Sequence, residues 1–112
     1  MMAGRLPAHL EVAGLIRSVE SAGGFATVIR KGEREAGTIL ILTLGRNFDS
    51  ALWERMPRPD GTRPYSIAKS QDIENPAEFS DYCDRRGRQD PDVWIVEVDV
   101  PNPERFIETG EP

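Results

Sequence analysis

The segment Thr38–Leu44 carries aliphatic side chains at both alternating sets of positions. Successive side chains of a β-strand point to opposite faces of a sheet, so this segment predicts a central strand that is buried on both faces. In a chain of only 112 residues, some other part of the protein must cover each face. Which elements cover the two faces is therefore the main structural question.

The length of 112 residues indicates one domain over residues 1–112, since it is near the common size of a single folded unit. No apolar stretch approaches the roughly 20 residues needed to cross a bilayer. The segment Met1–Glu11 lacks the apolar core of a signal peptide. Cys83 is the only cysteine, so an intramolecular disulfide is impossible. We expect a cytoplasmic protein with no membrane partner and no cofactor, in which residues 109–112 are frayed.

Residue patterns predict an α+β fold in the order helix, four strands, helix, strand, short helix. Apolar residues recur at helical spacing in two segments, whereas five others are rich in β-branched and alternating apolar residues. The predicted helices are Pro7–Ala22, Pro76–Gly87 and a short one through Phe106 and Ile107, and the predicted strands are Phe25–Lys31, Thr38–Leu44, Asp49–Met56, Pro64–Lys69 and Asp92–Val100. We expect an antiparallel sheet of about five strands, the first four forming a meander, with the two long helices packed mainly on one face.

Pairing of consecutive strands would leave the second face of this sheet unusually apolar. Turn lengths favour a register in which Arg30 lies opposite Thr38 and Leu44 lies opposite Ser50. The second face then carries Phe25, Thr27, Ile29, Ile39, Ile41, Trp53 and Arg55. A contiguous apolar patch of this kind marks a partner or a ligand groove, so Phe25, Ile39, Ile41, Trp53 and Arg55 form a candidate interaction face. Two alternatives would hide it: one helix on each face, or a carboxy-terminal segment folded over the second face.

The densest charge cluster is Arg85, Arg86 and Arg88, near the end of the second helix. Cations at this position offset the negative end of the helix dipole and pair with Asp81 and Asp84 one turn earlier. The functional alternative is an anion site, because guanidinium groups grip phosphate or carboxylate.

His9 and Cys83 are the single histidine and the single cysteine, and neither has the surroundings of a catalytic residue in the sequence. His9 falls in the first turn of a helix, where the dipole disfavours its protonation. Cys83 lies on the apolar stripe of the second helix with Phe79 and is typical of a buried core residue. The acidic residues match no metal-binding spacing. No motif in the sequence identifies a catalysed reaction. The sequence does not determine whether His9 and Cys83 lie close together.

The net charge of −5 argues against general binding to nucleic acid, because phosphate repels acidic proteins. Twelve of the fourteen cationic residues are arginine, so a local basic patch could still override this balance. RNA binding would require the arginines to share one exposed surface with Trp53 or Tyr65 as stacking platforms.

Two stretches resemble a known family. They are Arg5–Leu10 followed by Gly23–Val28, and Arg85–Trp94. Together they are similar to a family of short, mostly alphaproteobacterial proteins classed as a domain of unknown function. The resemblance covers almost the whole chain and implies a single cytoplasmic domain, but it implies no activity, cofactor or catalytic residue.

These observations favour a non-enzymatic interaction or regulatory module that uses the apolar sheet face and self-associates as a homodimer or binds a protein partner. The alternative is a small enzyme or ligand-binding protein that holds an anionic substrate with Arg85, Arg86 and Arg88. RNA binding is the third class.

Overall fold

The computed structural model describes residues 6–45 and 49–107, so the predicted frayed residues 109–112 lie outside the described part. Its elements follow the predicted order, and the α+β class with five strands and two long helices is confirmed. The elements are α1 (Ala8–Ser21), β1 (Phe25–Arg30), β2 (Ile39–Thr43), β3 (Ala51–Arg55), β4 (Tyr65–Ser70), α2 (Pro76–Gln89), β5 (Trp94–Asp99) and the short 3-10 helix η1 (Pro103–Phe106).

The five strands form one mixed sheet in the order β1-β5-β2-β3-β4. β5 lies between β1 and β2, antiparallel to β1 and parallel to β2. The predicted meander is therefore wrong at its first step: Arg30 lies opposite Ile95, not Thr38. The physical reason is that Trp94, Ile95, Val96 and Val98 are all buried, and only a central position covers both faces of β5.

The rest of the meander is confirmed. β2 pairs with β3 antiparallel, with Thr43 opposite Ala51, which is the predicted register. β3 in turn pairs with β4 antiparallel. The connections after β2 and β3 join antiparallel neighbours, whereas the connection from β1 to β2 is of similar length and joins strands that do not pair, so the length of a connection does not by itself decide strand pairing.

One helix covers each face of the sheet, so packing of both helices mainly on one face is also a wrong prediction. α1 packs on the face that carries Ile41 and Val96, which we call the α1 face. α2 packs on the opposite face, which carries Leu40 and Leu52 and which we call the α2 face. Because β2 and β5 have apolar side chains on both faces, a single covered face would leave half of them in water.

The connection from β1 to β2 passes around the start of β5 and holds it closely. A Cβ atom on Gly32 would lie 2.2 Å from the backbone oxygen of Asp92, and one on Gly37 would lie 2.4 Å from it. The same connection accepts hydrogen bonds from the start of α1: the amide of Ala8 donates to Glu35 O at 2.9 Å. This satisfies an amide that has no partner within the helix. The connection thus fixes the amino end of α1 to the sheet.

α2 continues two residues beyond the predicted end at Gly87, to Gln89. Gly87 is buried inside the helix, and a Cβ there would lie 3.2 Å from Cδ of Arg30. The glycine lets the helix approach the Arg30 side chain on β1, which explains why it does not act as a helix terminator.

Replacement of Gly32 tests the closeness of this connection. Gly32→Ala should lower the free energy of unfolding by about 1–3 kcal/mol, because the new methyl group meets fixed backbone atoms. Gly14→Ala is the matched control, since a Cβ at Gly14 in α1 has no atom within 4 Å. That control should raise stability by up to about 1 kcal/mol. Urea denaturation measures the free energy of unfolding of both variants. Equal stabilities of Gly32→Ala and Gly14→Ala would contradict the close approach of Gly32 to β5.

Candidate functional site

α1 is too narrow to cover the whole α1 face. Five strands at about 4.8 Å spacing span about 19 Å, whereas a helix with its side chains is about 10 Å wide. α1 contacts β1, at one edge of the sheet, and the short helix η1. Over β3 and β4 an open groove remains, with a volume of about 630 Å³.

This apolar groove is lined mainly by Trp53, Met56, Pro64, Tyr65 and Ile67. Met56 is 54% exposed and Ile67 is 50% exposed, so both offer apolar surface to solvent. Charged residues stand on two walls of the groove: Arg58 comes from the β3–β4 connection and Glu104 from η1.

The walls of the groove are held in place by contacts within the protein. Trp53 Nε1 donates a hydrogen bond to Thr43 Oγ1 at 3.0 Å, and Thr43 Oγ1 donates to Ala51 O at 3.3 Å. The guanidinium carbon of Arg55 lies 4.9 Å from the centre of the Tyr65 ring. Burial raises the pKa of Tyr65, and its hydrogen bond with Arg55 opposes that rise. The groove is therefore preformed and its aromatic walls are neutral.

A smaller cavity of about 240 Å³ lies next to the groove, between α1 and the sheet. Its polar wall contains Glu11 of α1 and Arg55 of β3, and Arg55 donates a hydrogen bond to the Glu11 carboxylate. Tyr65 lines both the cavity and the groove. The rest of the cavity lining is Gly14, Leu15, Ser18, Ile39, Ile41 and Phe106.

Adjacent residues of β3 form ion pairs with both helices. Glu54 points to the α2 face and accepts two hydrogen bonds from Arg86, at 3.0 and 2.9 Å. Arg55 points to the α1 face and binds Glu11. Glu54 raises the pKa of Arg86 above its usual value, and a hydrogen bond with Tyr82 acts in the same direction. One strand thus fixes α1 and α2 at the same level of the sheet.

The predicted arginine cluster is divided by this arrangement. Arg86 is engaged with Glu54, whereas Arg85 and Arg88 are exposed on α2. The groove and the small cavity have other linings. Trp53 lies on the α1 face, so the sheet separates it from these three arginines, and the arrangement needed for an RNA-stacking platform is not formed by them.

The residues of the predicted interaction face do not share one surface. Ile39, Ile41 and Trp53 belong to the buried core of the α1 face and are between 3% and 8% exposed. Phe25 is 71% exposed on the edge strand β1, opposite Asp99 of β5. Arg55 is paired with Glu11. The predicted pairing of β1 with β2 would have placed Phe25 on the same face as Ile39 and Ile41, whereas β1 pairs with β5.

His9 and Cys83 lie on different sides of the molecule, because α1 and α2 pack on opposite faces of the sheet. Cys83 is buried among Leu40, Leu52 and Phe79, as predicted for a core residue. Burial raises the pKa of its thiol to about 11, with a smaller contribution from the charge of Asp84.

Within residues 6–45 and 49–107, no three histidine, cysteine, aspartate or glutamate side chains come together in a way that could hold a metal ion. Neither helix in this part of the chain has the length and apolar character required to span a membrane.

Several residues of the groove and cavity were missed by the sequence analysis. Met56 and Ile67 look like ordinary strand residues, and Glu11 looks like a surface residue of an amphipathic helix. Only Gly14 carried a signal, since glycine in a helix interior is unfavourable and calls for an explanation.

Fold and site together define a class of small α+β proteins with a mixed five-stranded sheet between two helices and an open apolar groove at one end of the α1 face. The sequence model described as "Protein of unknown function (DUF1491)" matches residues 6–108. The chain belongs to the DUF1491 family, which confirms the resemblance seen in the sequence.

Solved structures support this membership. The crystal structure of a DUF1491 family protein from Caulobacter crescentus CB15 is 33% identical with a TM-score of 0.79, covering 94% of this chain and 97% of that chain. The NMR structure of a DUF1491 family protein from the same organism is 32% identical with a TM-score of 0.76, covering 96% of each chain. A solution structure of a protein from A. tumefaciens is 26% identical with a TM-score of 0.76, covering 97% of this chain and 98% of that chain. No curated protein matches the chain.

Alanine substitutions separate the structural arginine from the exposed ones. Arg86→Ala should lower the free energy of unfolding by about 1 kcal/mol, because it leaves the half-buried Glu54 carboxylate without its partner. Arg88→Ala is the matched control and should change stability by less than about 0.5 kcal/mol. Thermal or urea denaturation measures both, and a larger loss for Arg88→Ala would contradict the structure.

The thiol of Cys83 should be unreactive in the folded protein. Ellman's reagent at pH 8 should label it only after urea is added, because the thiol is buried and its pKa is about 11. Since this value lies above the ordinary pKa of 9.0, the unfolded state loses the proton first. The stability that the neutral thiol contributes is present below pH 9.0 and is lost as the pH rises through about 11. Rapid labelling of the native protein would contradict this placement.

Proposed function

We propose that this protein is a non-enzymatic interaction module that binds a second copy of itself through the apolar groove. The observation that carries the proposal is the uncovered part of the α1 face, where Met56 and Ile67 expose apolar surface beside the fixed rings of Trp53 and Tyr65. Apolar surface that is grouped around a groove, not scattered, is typical of a binding site.

Charge supports a second copy as the partner. A twofold axis through the groove brings the same surface of both copies together, so each wall meets the opposite wall of the partner. Arg58 and Glu104 stand on different walls. In such a dimer Arg58 of each copy can face the partner's Glu104. The two symmetry-related contacts are then ion pairs between opposite charges, and no like charges meet.

The size of the groove limits the affinity that we expect. A standard interface buries about 800 Å² on each partner. Two half-exposed side chains and their neighbours supply only part of that area. We therefore expect a reversible dimer that dissociates at micromolar concentrations.

We further propose that the protein acts in the cytoplasm. Its single cysteine is buried and reduced, which fits a reducing compartment.

Sedimentation velocity tests the surface directly. The wild-type protein should shift toward dimer as its concentration rises, and Ile67→Arg should remain monomeric because a charge would be buried in the apolar contact. The matched control is Ile73→Arg, since Ile73 is 64% exposed but lies outside the groove. A wild-type protein that stays monomeric, or a control that dissociates as fully as Ile67→Arg, would reject the proposal.

A charge exchange tests the symmetry of the contact. Arg58→Glu and Glu104→Arg should each weaken the dimer by about fivefold to tenfold, because each places like charges opposite one another. The double variant should recover most of the wild-type affinity, since the pairs are restored with reversed sign. If the two losses simply add, Arg58 and Glu104 do not meet across the dimer axis.

A further inference from the structure

Gly14 gives α1 an open space above the small cavity. It lies in the interior of the helix, and a Cβ atom added there would meet no atom within 4 Å. Glycine in a helix interior is about 1 kcal/mol less favourable than alanine. At Gly14 no close backbone approach and no unusual φ explains this cost. Gly14 lines the small cavity, so the absence of a side chain leaves that space open.

The cavity wall places two opposite charges in an otherwise apolar setting. The Glu11 and Arg55 side chains are 24% and 22% exposed, so both are largely shielded from water. A partly buried ion pair is a poor source of stability, because the loss of hydration offsets much of the attraction. Its position in a cavity makes it suitable for recognition, since a guanidinium group binds carboxylates and a carboxylate binds ammonium groups.

We propose that the small cavity binds an α-amino acid with an apolar side chain. The ammonium group of the ligand would face Glu11 and its carboxylate would face Arg55. The four charges then alternate in sign, so each charged group in the shielded site has an opposite charge beside it. A simple carboxylate would meet the Glu11 charge, and a simple amine would meet the Arg55 charge, so each of these ligands is disfavoured.

The remainder of the lining determines which amino acids fit. Leu15, Ile41 and Phe106 provide an apolar surface for the side chain of the ligand. The volume of about 240 Å³ lies below the range of drug-sized sites and suits a molecule as small as leucine or phenylalanine. This inference does not depend on the dimer, because apart from Tyr65 the cavity and the groove have separate linings.

Titration with L-leucine and L-phenylalanine, followed by backbone amide NMR, tests the proposal. At millimolar concentrations at least one of them should shift the amides of α1 near Gly14 in a saturable way. The analogue 4-methylpentanoate, which lacks the amine, and 3-methylbutylamine, which lacks the carboxylate, should each bind about tenfold more weakly. Equal binding of leucine and its analogues, or no saturable shift with either amino acid, would overturn the proposal.

Two variants separate a ligand site from a structural ion pair. Gly14→Leu should abolish binding because its side chain fills the cavity, whereas Arg17→Leu adds the same side chain at an exposed position of α1 and should bind as the wild type does. Glu11→Gln should weaken leucine binding but strengthen 4-methylpentanoate binding, because the repulsion of its carboxylate is removed. A ratio of the two affinities unchanged by Glu11→Gln, or wild-type binding by Gly14→Leu, would reject the site.

Discussion

Hydrogen bonding of β5 to both β1 and β2 is the constraint on which the rest of the structure depends. This single strand joins the α1–β1 unit to the β2–β3–β4 meander, and its buried side chains require cover on both faces of the sheet. Two helices of 14 residues provide that cover, one on each face. Because each helix is narrower than the sheet, some apolar surface stays open over β3 and β4, and there the groove forms.

The helices and strands of this fold could be predicted from the sequence, because apolar periodicity, proline and glycine determine the type and the ends of an element through local interactions. The pairing of β2 with β3 could also be predicted, since consecutive strands joined by a short connection commonly pair antiparallel. The insertion of β5 could not, because pairing between segments far apart in the chain is not encoded by turn lengths. That one error moved Phe25 to the wrong face and combined it with Ile41 and Trp53. The groove escaped prediction for a related reason: the exposure of Met56 and Ile67 depends on where α1 lies, not on their local pattern.

Glu54 and Arg55 show how neighbouring residues of a strand can serve opposite sides of a molecule. Because side chains alternate, Glu54 reaches Arg86 of α2 and Arg55 reaches Glu11 of α1. The two ion pairs differ in surroundings. Both arginines also contact a tyrosine, Arg86 at Tyr82 and Arg55 at Tyr65, but the hydrogen bonding of Arg86 to Glu54 is bidentate, as expected for a structural contact. The pair on the α1 face borders the small cavity that Gly14 also lines, which is why the proposed ligand site includes Arg55 and not Arg86.

The position of β5 also bears on the order in which the molecule assembles. Phe25 and its partner Asp99 are more than 70 residues apart in the chain, whereas β2, β3 and β4 are joined by short connections. Closing a long loop costs more entropy than closing a hairpin, so the meander is the favoured nucleus. β1 then gains a strand partner only when β5 joins the sheet. Until that moment the aliphatic edge of β2 is unprotected, which makes intermediates of this fold vulnerable to intermolecular association.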